Sequence, residues 1–506
     1  MSLVYTLNNC LNNDIFKNMK YLSIDVGTTR CKCQLFDNEG NILEYIAKDY
    51  EFKKVSGELY VDVDAIIKNV KNMIKAVAVK HEINSVAVSS FGESFVLLDK
   101  DDNVLFYPML YTDVRGEEQA KRVTDIFGDE KLFKVTGITA HSMYSLYKLL
   151  WIKENYPEVY KRADKVLLIG DYVGYKLTGK RVIDYALAAR TGAFDVENKA
   201  LAKEILNKVE VSEKLFSTPM QTGSMVGEIS EKVKKELKIK GKPVLVLGSH
   251  DQICSALGAG VISTGSAVDG MGTVECIVVP FKEKPGDINM GKQGYPIVPF
   301  INGLYCTYIL NYSCGSAVGW FNKNIMHGYS GKEQDFYAYM EKGMSDNPTG
   351  ILVLPYFGGA STPYQDMNIK GAIINLTTQT SDVQTYQAIV EGTVMEMKLN
   401  ADVTKEYGIE ITELTATGGC SNSDKWMQLK SDIQGVPVKT LRSSEGGLCG
   451  LAMLQAVALK GVKDIEQAKE IFVQYVKSFT PNRERGNEYL EQYKKYKKLY
   501  HAIKEI

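Results

Sequence analysis

A strand–turn–strand segment near the start of the chain recurs almost half a chain length later, and this repeat limits the folds that the sequence can adopt. In the first copy, residues 21–37, an apolar strand reaches a glycine turn and a second, alternating strand follows. Gly272 and Thr273 repeat Gly27 and Thr28 at a distance of 245 positions. This alignment sets Asp25 against a glycine, so the two copies are not chemically equivalent. The repeat predicts an internal duplication with one such turn in each half.

The first turn has the residue types of a phosphate site. Gly27 lets the backbone approach a ligand closely, and Thr28 and Thr29 offer hydroxyl and N–H groups to an anion. Asp25, at the end of the strand, could hold a divalent cation beside that anion. An ordinary β-turn with a capping aspartate explains this segment equally well when it is taken alone. The second copy favours a phosphate-binding hairpin in each half, since two such hairpins can hold a polyphosphate.

Length and composition indicate a globular protein of two domains. A chain of 506 residues is too long for one core, and 60 basic against 61 acidic residues leave no basic field for nucleic acid. No apolar run approaches the roughly 18 residues that span a bilayer, and no signal peptide is recognisable. The nine cysteines are scattered, and the five histidines show no metal-ligand spacing. We therefore expect a soluble, cytoplasmic protein without a nucleic-acid or membrane partner.

The order of elements predicts a mixed α/β architecture. Residues 1–18 show no clear periodicity and are interpreted as an N-terminal extension. The first domain then opens as β-turn-β-β-α-β, with a helix over residues 63–80. Its glycine turn joins adjacent strands, which does not match the dinucleotide-binding or P-loop motifs. From Lys463 onward the charged amphipathic pattern predicts solvated terminal helices.

Several polar residues stand where a strand ends. Glu93 and Ser94 follow the buried strand that ends near Ser90, and Asp113 lies two positions from Arg115. A surface ion pair is the simpler explanation for Glu93 as well as for Asp113 and Arg115. Asp251 falls near a helix start after the apolar strand at 243–248. A carboxylate there is either an N-terminal cap or a general base.

Glycine turns continue in the second half of the chain. Gly315 opens a helix, and a strand leads to Gly418 and Gly419 at the start of another helix, with Asn422 in the first turn of that helix. Close backbone approach at the paired glycines suits a flat base or ribose. The segment 444–456 is interpreted as a loop that feeds a small-residue helix, with packing as its role.

Taken together, these residues resemble the FGGY carbohydrate kinases, the family of glycerol, xylulose, gluconate, ribulose and fuculose kinases. The resemblance runs from about residue 20 to about residue 461, and its motifs occur in the family's order. They are D-V-G-T-T, Y-T-D-x-R, G-S-H-D-Q with A-L-G-A-G, G-T-V-E, L-P-Y…T-P-Y…K-G, T-G-G-C-S-N-S-D-K-W and E-G-G-L-C-G-L-A. The resemblance implies an α/β fold of two ribonuclease-H-like domains of the actin and hexokinase type, at residues 19–247 and 248–506, with an interdomain active-site cleft.

The resemblance also implies roles for individual residues. Asp251 matches the catalytic base, and Asp25 matches a ligand of Mg²⁺, which accompanies ATP as co-substrate. His250, before the base, either touches the sugar or supports its loop, and Lys32 is either near the phosphates or an ordinary strand lysine. The sugar-binding positions are Glu93, Ser94, Asp113, His250 and Asp251. The ATP- and phosphate-binding positions are Gly27, Thr28, Thr29, Lys32, Gly272, Thr273, Gly315, Gly418, Gly419 and Asn422.

The departures from the family's motifs fall mainly on the sugar side. F-G-E-S stands where xylulose kinases usually have Gln-Met-His-Gly, and Tyr111 replaces a common Trp. The expected activity is phosphorylation of a small ketose such as xylulose, with fuculose, gluconate, ribulose or glycerol as alternative substrates. An actin- or chaperone-like ATPase is a further alternative, as is a degenerate sugar-binding regulator, but neither needs an aspartate after G-S-H. The expected partners are a sugar and ATP, and a homodimer is one assembly that the sequence allows.

Overall fold

The computed structural model describes residues 18–326, 333–443 and 445–506, and this part of the chain forms two compact units. The first unit runs to Ile262 and also contains Ile297–Gly303 and Glu445–Val473. The second unit contains Ser263–Pro296, Leu304–Ser444 and Gln474–Ile506. The predicted domain boundary between residues 247 and 248 stays a prediction, because compactness alone does not define where a family domain ends. The predicted N-terminal extension lies almost wholly outside the described residues.

The first unit is built on a six-stranded sheet. Lys20–Val26 pairs antiparallel with the next strand along the chain and parallel with Ser85–Ser90 on its other side. Ser85–Ser90 in turn pairs parallel with Val244–Val246. In order across the sheet the strands are Met225–Glu228, Val244–Val246, Ser85–Ser90, Lys20–Val26, Arg30–Asp37 and Ile42–Asp49.

The sheet of the second unit repeats this topology. Gly265–Met271 pairs antiparallel with Glu275–Phe281 and parallel with Ile411–Thr417, as Lys20–Val26 does with its own neighbours. The strands that this unit contributes follow the order Tyr305–Asn311, Glu275–Phe281, Gly265–Met271, Ile411–Thr417, Val438–Leu441 and Tyr475–Phe479. In both units three antiparallel strands in sequence are followed by two parallel strands and an antiparallel edge strand. The predicted duplication is thus present in the strand order.

Helices cover these sheets. The predicted helix has the bounds Val63–Lys80, begins at the capping residue Asp62 and buries one apolar face in the core of the first unit. The helices of the first unit are Val63–Lys80, Glu117–Phe127, Asp129–Thr136, Ser145–Asn155, Pro157–Lys161, Ile169–Thr178, Tyr185–Ala189, Lys203–Lys208, Glu231–Leu237, Asp251–Gly258, Gly446–Ala458 and Ile465–Phe472. Those of the second unit are Ile288–Lys292, Gly315–Asn324, Glu333–Gly343, Asp382–Glu406, Asp424–Gln434, Arg483–Tyr496 and Leu499–Lys504. Within the described ranges, no helix has both the length and the apolar composition needed to cross a membrane.

Short elements complete the two units. The 3₁₀ turns are Glu213–Leu215, Ile301–Gly303 and Gly419–Asn422. The short strands are Lys53–Val55, Glu58–Tyr60, Phe95–Leu98, Val104–Phe106, Lys165–Leu168, Val182–Asp184, Phe194–Asp195, Ala200–Leu201, Thr218–Met220, Val298–Pro299, Leu352–Leu354 and Ala372–Ile374.

Two helices of the first unit, Asp251–Gly258 and Gly446–Ala458, pack against each other through glycines. A Cβ atom added at Gly258 would lie 1.8 Å from the carbonyl oxygen of Gly446. At Gly450 it would lie 2.1 Å from the carbonyl oxygen of Cys254. Only a residue without a side chain permits this backbone approach. The structure thus agrees with the packing role predicted for residues 444–456.

The prediction of solvated terminal helices is wrong for part of the C-terminal segment. Tyr475–Phe479 is an edge strand that pairs with Val438–Leu441. In the next helix Tyr489, Tyr493 and Tyr496 are buried, and their hydroxyls donate hydrogen bonds to carboxylates of Glu391, Asp402 and Glu396. Tyrosine has an apolar ring and a polar tip, so a charged sequence can still bury a face that contains it.

Candidate active site

Asp251 is the first residue of the helix Asp251–Gly258, directly after the strand Val244–Val246 and a short turn. Its Oδ1 accepts the N–H of Gln252 at 2.6 Å, and 31% of its side chain is exposed. The surrounding protein partly desolvates this carboxylate. This desolvation is the main cause, together with the negative charges of Asp25 and Glu93, of the rise in the pKa of Asp251 to about 7. The carboxylate is therefore accessible and a proton acceptor near neutral pH.

Asp25 lies at the end of Lys20–Val26, next to Ser89 on the neighbouring parallel strand. The Ser89 hydroxyl donates a hydrogen bond to Asp25 Oδ1 at 2.7 Å. Burial raises the pKa of Asp25, although Ser89 and the nearby Lys32 favour its charged form. The Glu445 carboxylate also raises the pKa of Asp25, and Asp25 raises that of Asp251. A divalent cation would neutralise this local negative charge.

The turn after Asp25 is held by backbone and side-chain hydrogen bonds. Gly27 N–H donates to the carbonyl of Arg30 at 2.9 Å, and the Tyr50 hydroxyl donates to the carbonyl of Gly27. Tyr50 N–H also donates to the carbonyl of Thr29 at 2.9 Å. Thr28 is half-buried and Thr29 is exposed, so both predicted phosphate-binding residues lie at the surface of a fixed turn.

Lys32 lies directly across the hairpin from Asp25 and forms an ion pair that the sequence did not predict. Its Nζ donates to both carboxylate oxygens of Glu445, at 2.8 and 3.0 Å. Burial disfavours the charge of Lys32, but the Glu445 carboxylate more than compensates and raises the pKa of the ammonium. Glu445 directly precedes the glycine-packed helix Gly446–Ala458. Although it lies 413 positions from Lys32 in the sequence, it helps to fix the Lys32 side chain.

Glu93 forms a buried ion pair with Arg190, another residue that the sequence did not single out. The side chains are 4% and 8% exposed, and the Arg190 guanidinium lies 5.1 Å from the ring centre of Tyr144. The Glu93 backbone has a positive φ of 62°, and its carbonyl accepts the Ser145 hydroxyl at 2.6 Å. The neighbouring Ser94 hydroxyl is buried and has no hydrogen-bond partner within the described ranges.

His250 links the Glu93 loop to Asp251. Its Nε2 lies 3.4 Å from Asp251 Oδ1, and its ring lies 3.2 Å from the position of a Cβ added at Gly92. Burial, and then the charge of Arg190, lowers the pKa of His250 to about 3. The imidazole is therefore neutral at pH 7, and it contacts both the loop and the candidate base.

Asp113 pairs with Arg115, as the simpler interpretation predicted, but this pair is largely shielded from solvent. Arg115 Nε donates to the two Asp113 oxygens at 2.9 and 3.0 Å, and the side chains are only 16% and 18% exposed. Lys148, which the sequence did not indicate, is 1% exposed and donates to the Asp113 carbonyl at 2.6 Å. Burial lowers the pKa of Lys148 to about 8.

Asp184 supports the turn before Asp251. It is buried and accepts hydrogen bonds from the hydroxyls of Ser249 and Thr222 at 2.6 and 2.9 Å. Burial raises its pKa. Because Ser249 lies two positions before Asp251, this network fixes the backbone that carries the candidate base.

In the second unit the repeated turn is bonded to the start of a helix. Gly315 N–H donates to the carbonyl of Gly272 at 2.9 Å, and Ser316 N–H donates to the carbonyl of Thr273 at 3.1 Å. A Cβ atom at Gly315 would lie 2.7 Å from the Gly272 oxygen, so only glycine fits there. The helix Gly315–Asn324 thus begins at the turn and directs its N–H groups toward it.

The other predicted glycines lie beside this turn. Gly418 has a φ of 91°, and a Cβ there would lie 2.5 Å from the carbonyl oxygen of Met271. Gly419 begins the 3₁₀ turn Gly419–Asn422, in which Asn422 Nδ2 donates to the carbonyl of Gly419 at 3.1 Å. The structure therefore brings together the second-half residues Gly272, Thr273, Gly315, Gly418, Gly419 and Asn422.

A buried charge cluster lies beside the repeated turn of the second unit. Lys430 is fully buried and its Nζ bonds Asp269 and Glu275, the residues on either side of the turn. Burial opposes the charge of Lys430, but the two carboxylates raise its pKa. One oxygen of each carboxylate has no hydrogen-bond partner in the described part of the chain. Asp269 is thus fully buried, whereas Asp25 is half-buried.

Known proteins resemble this chain over almost its whole length. Residues 20–258 match the model for the FGGY family of carbohydrate kinases, N-terminal domain, and residues 271–459 match the C-terminal domain of that family. A xylulose kinase of Bacillus subtilis (strain 168) is 26% identical over 502 residues, covering 96% of this chain and 98% of that protein. A glycerol kinase of Lactobacillus acidophilus is 26% identical over 474 residues, covering 89% and 92%.

The fold is also that of solved structures. The crystal structure of gluconate kinase from Lactobacillus acidophilus superposes with a TM-score of 0.88 at 24% identity, covering 96% of this chain and 98% of that one. At this identity the likeness shows the fold alone. It confirms the predicted α/β fold of two ribonuclease-H-like domains.

Proposed function

Since the chain belongs to the FGGY family of carbohydrate kinases, we propose that it transfers the γ-phosphoryl group of ATP to a hydroxyl of a small ketose such as xylulose, with Asp251 as the base. One observation carries the assignment of the base. Asp251 is a partly exposed carboxylate at a helix start, and the surrounding protein with Asp25 and Glu93 raises its pKa to about 7. A base with a pKa near the working pH is the most effective one.

In the proposed reaction the Asp251 carboxylate accepts the proton of the sugar hydroxyl as that oxygen attacks the γ-phosphorus of ATP. Phosphoryl transfer needs little covalent help from a protein, mainly in-line positioning and neutralisation of charge. The hydrogen bonds at Gln252 and Ser249 support a fixed position for this carboxylate. Neutral His250 adds no positive charge beside Asp251, and the opposing charge of Arg190 does not prevent burial from raising the pKa of this carboxylate.

The two repeated turns are assigned to the nucleotide. Thr28 and Thr29 in the first unit and Thr273 in the second would bind phosphate oxygens through hydroxyl and N–H groups. Lys32, held by Glu445, would supply positive charge beside the first turn. The glycine-rich loops of the second unit would contact the rest of the nucleotide, at Gly315, Gly418, Gly419 and Asn422.

Asp25 is assigned to Mg²⁺. Its carboxylate has hard oxygen donors, and the Glu445 and Asp251 carboxylates add negative charge nearby. Mg²⁺ usually keeps several waters and takes one or two carboxylates together with substrate phosphates, so a single aspartate fits. When bound, the ion would neutralise charge on the ATP phosphates.

The sugar is assigned to the residues around Glu93. Ser94 offers a buried hydroxyl that has no hydrogen-bond partner among the described residues, and a sugar hydroxyl could satisfy it. Glu93, Asp113 and His250 add acceptors, and Arg190 neutralises Glu93. Relatives are named as kinases of xylulose, glycerol and gluconate, so the substrate class is a small polyhydroxylated molecule.

We place the reaction in the cytoplasm, and the balanced charge supports the absence of a nucleic-acid partner. A homodimer stays a prediction.

Release of ADP with Mg-ATP across pentuloses, hexuloses, polyols and aldonates tests the proposal. We expect turnover that depends on the acceptor and is highest with a pentulose. Turnover with a polyol or aldonate alone would transfer the substrate assignment to that class. ADP release at the same rate without any acceptor would contradict the kinase and favour the actin- or chaperone-like ATPase.

A further inference from the structure

Two cysteines lie at the repeated turn of the second unit. Cys314 immediately precedes the helix Gly315–Asn324, and Cys420 lies in the 3₁₀ turn Gly419–Asn422. The thiol of Cys314 donates a hydrogen bond to the sulfur of Cys420. Cys420 Sγ also lies 3.4 Å from the position of a Cβ added at Gly315. The two sulfur atoms are therefore neighbours, although their residues are far apart in sequence.

The two thiols differ in exposure and acidity. Cys314 is fully buried, whereas Cys420 is partly exposed. The hydrogen bond to Cys420, followed by burial, raises the pKa of Cys314. The hydrogen bond from Cys314 lowers the pKa of Cys420, and the positive charge of Lys430 acts in the same direction. Because Cys420 is the exposed member of the pair, a peroxide can reach it, and the buried Cys314 beside it can act as the resolving thiol.

We propose that Cys314 and Cys420 are a peroxide-sensitive thiol pair, and that the disulfide between them weakens nucleotide binding. The inference rests on the proposed function, because it takes the Gly272 turn and the Gly418 loop as part of the nucleotide site. Cys314 N–H donates to the carbonyl of Thr273 at 3.3 Å, so the pair is tied directly to that turn.

The chemistry is a two-electron oxidation by a hydroperoxide. The Cys420 thiolate attacks one oxygen of hydrogen peroxide, an S–O bond forms, the O–O bond breaks, and the leaving hydroxide takes up a proton to become water. Cys314 then attacks the sulfur of the Cys420 sulfenic acid. An S–S bond forms, the S–O bond breaks, and a second water leaves with the thiol proton of Cys314. Both thiols are oxidised, and the peroxide is reduced to two waters.

The disulfide would change the backbone around the turn. An S–S bond is about 2 Å long, much shorter than a hydrogen-bonded contact between sulfurs, so the two segments must move closer together. Gly315 and Gly418 are closely packed against the turn, because an added Cβ would lie only 2.7 Å from the Gly272 oxygen or 2.5 Å from the Met271 oxygen. The spacing between the turn and the Gly418 loop would therefore change, and a nucleotide fitted to the reduced form would bind less well.

The test uses the full chain, reduced and then freed of reductant. After treatment with hydrogen peroxide, we expect non-reducing peptide mapping to show Cys314 linked to Cys420, and calorimetry to show that ATP binds at least about tenfold more weakly. Dithiothreitol should restore both properties. Cys420→Ser and Cys314→Ser should each bind ATP equally with and without peroxide, whereas Cys449→Ser should respond as the unaltered chain does.

Cys449 is a matched control because its thiol lies in the first unit, where it donates to the carbonyl of Phe472 at 3.4 Å. If the unaltered chain gives no peptide in which Cys314 is linked to Cys420, the proposed thiol pair is wrong. This measurement does not depend on the folding of any variant. A linked chain with unchanged ATP affinity would overturn the regulation. A reduced chain that binds no ATP would instead contradict the proposed nucleotide site, and peptide mapping would still judge the thiol pair separately.

Discussion

The ionisation of Asp251 determines how the proposed reaction depends on pH. A base must be deprotonated, and the pKa of Asp251 is raised to about 7 by the surrounding protein and by Asp25 and Glu93. We therefore expect kcat/KM to fall as the pH drops below about 7, since kcat/KM reports ionisation in the free enzyme. Asp251→Asn should retain ATP binding but lose about 10²–10⁴ in kcat, and its residual rate should lack this acid limb. Near-normal turnover by that variant, or a midpoint near the usual aspartate value, would exclude Asp251 as the base.

The buried pair of Glu93 and Arg190 should contribute strongly to stability. Removing one partner leaves the other charge buried, which typically costs about 3–5 kcal/mol. We expect Arg190→Met to lower the free energy of unfolding in urea by about that amount, and Arg190→Met with Glu93→Leu to lower it by less. The matched control is Arg122→Met, because the Arg122–Glu154 pair is half exposed and should hardly change stability. Equal effects at the two sites would contradict the importance of burial.

Candidate site residues were predictable where a local motif carries them. Asp25, Asp251 and the turn glycines were proposed because each stands at the end of a strand or beside a glycine with a backbone requirement. Arg190, Glu445 and Lys430 were missed, since each acts through a partner 97 to 413 positions away. No local periodicity marks such a partner, because only the tertiary fold brings the two side chains together.

At the scale of elements, the helix that carries Asp251 depends on its glycine contact with Gly446–Ala458. Gly258→Ala would place a Cβ 1.8 Å from the Gly446 carbonyl oxygen, so the two helices must separate. We expect a loss of at least about 1–3 kcal/mol in the free energy of unfolding, as overpacking usually causes. We also expect a loss of kcat approaching about 10²-fold, because Asp251 moves with its helix. Thermal unfolding and steady-state kinetics measure both.

The same interface contains the control for that experiment. A Cβ at Gly447 would lie 3.6 Å from Ser255 Oγ, which is an ordinary contact, and Gly447 is helical. Gly447→Ala should therefore be neutral, or stabilising by up to about 1 kcal/mol through helix propensity. If Gly447→Ala destabilises the protein as much as Gly258→Ala does, backbone contact is not the cause.

Elements with a strong period were predicted well, and edge elements were not. The helix Val63–Lys80 was predicted with its observed bounds because its apolar residues repeat at helical spacing and a cap precedes it. Tyr475–Phe479 was missed because it is an exposed edge strand with a lysine, and such a strand has no apolar run. The buried tyrosines that follow were concealed by the charged residues around them.

At the scale of the whole molecule, the chain leaves the first unit and later returns to complete it. The returning segment Glu445–Val473 supplies the helix Gly446–Ala458, in which Leu451 packs with Ala87, Val246 and Cys254. Buried Gln455 in the same helix accepts the Ser85 hydroxyl at 2.8 Å. The sequence repeat indicated one unit per half. It could not reveal that Glu445–Val473 belongs to the first unit, because no sequence motif indicates which sheet a helix near the C-terminus packs against.

A fragment of residues 18–262 should therefore be unable to fold, although it holds most of the first unit. Without the returning helix, the apolar face around Ala87 and Val246 is exposed and Ser85 loses its partner. Joining residues 445–473 to residue 262 through a Gly/Ser linker should restore cooperative unfolding, followed by circular dichroism during heating. Leu451→Asp in the joined fragment is the matched control, and it should abolish the transition again because it buries a charge in that face. Cooperative unfolding of the plain fragment, with the same midpoint as the joined one, would show that the returning segment is not needed to complete the core.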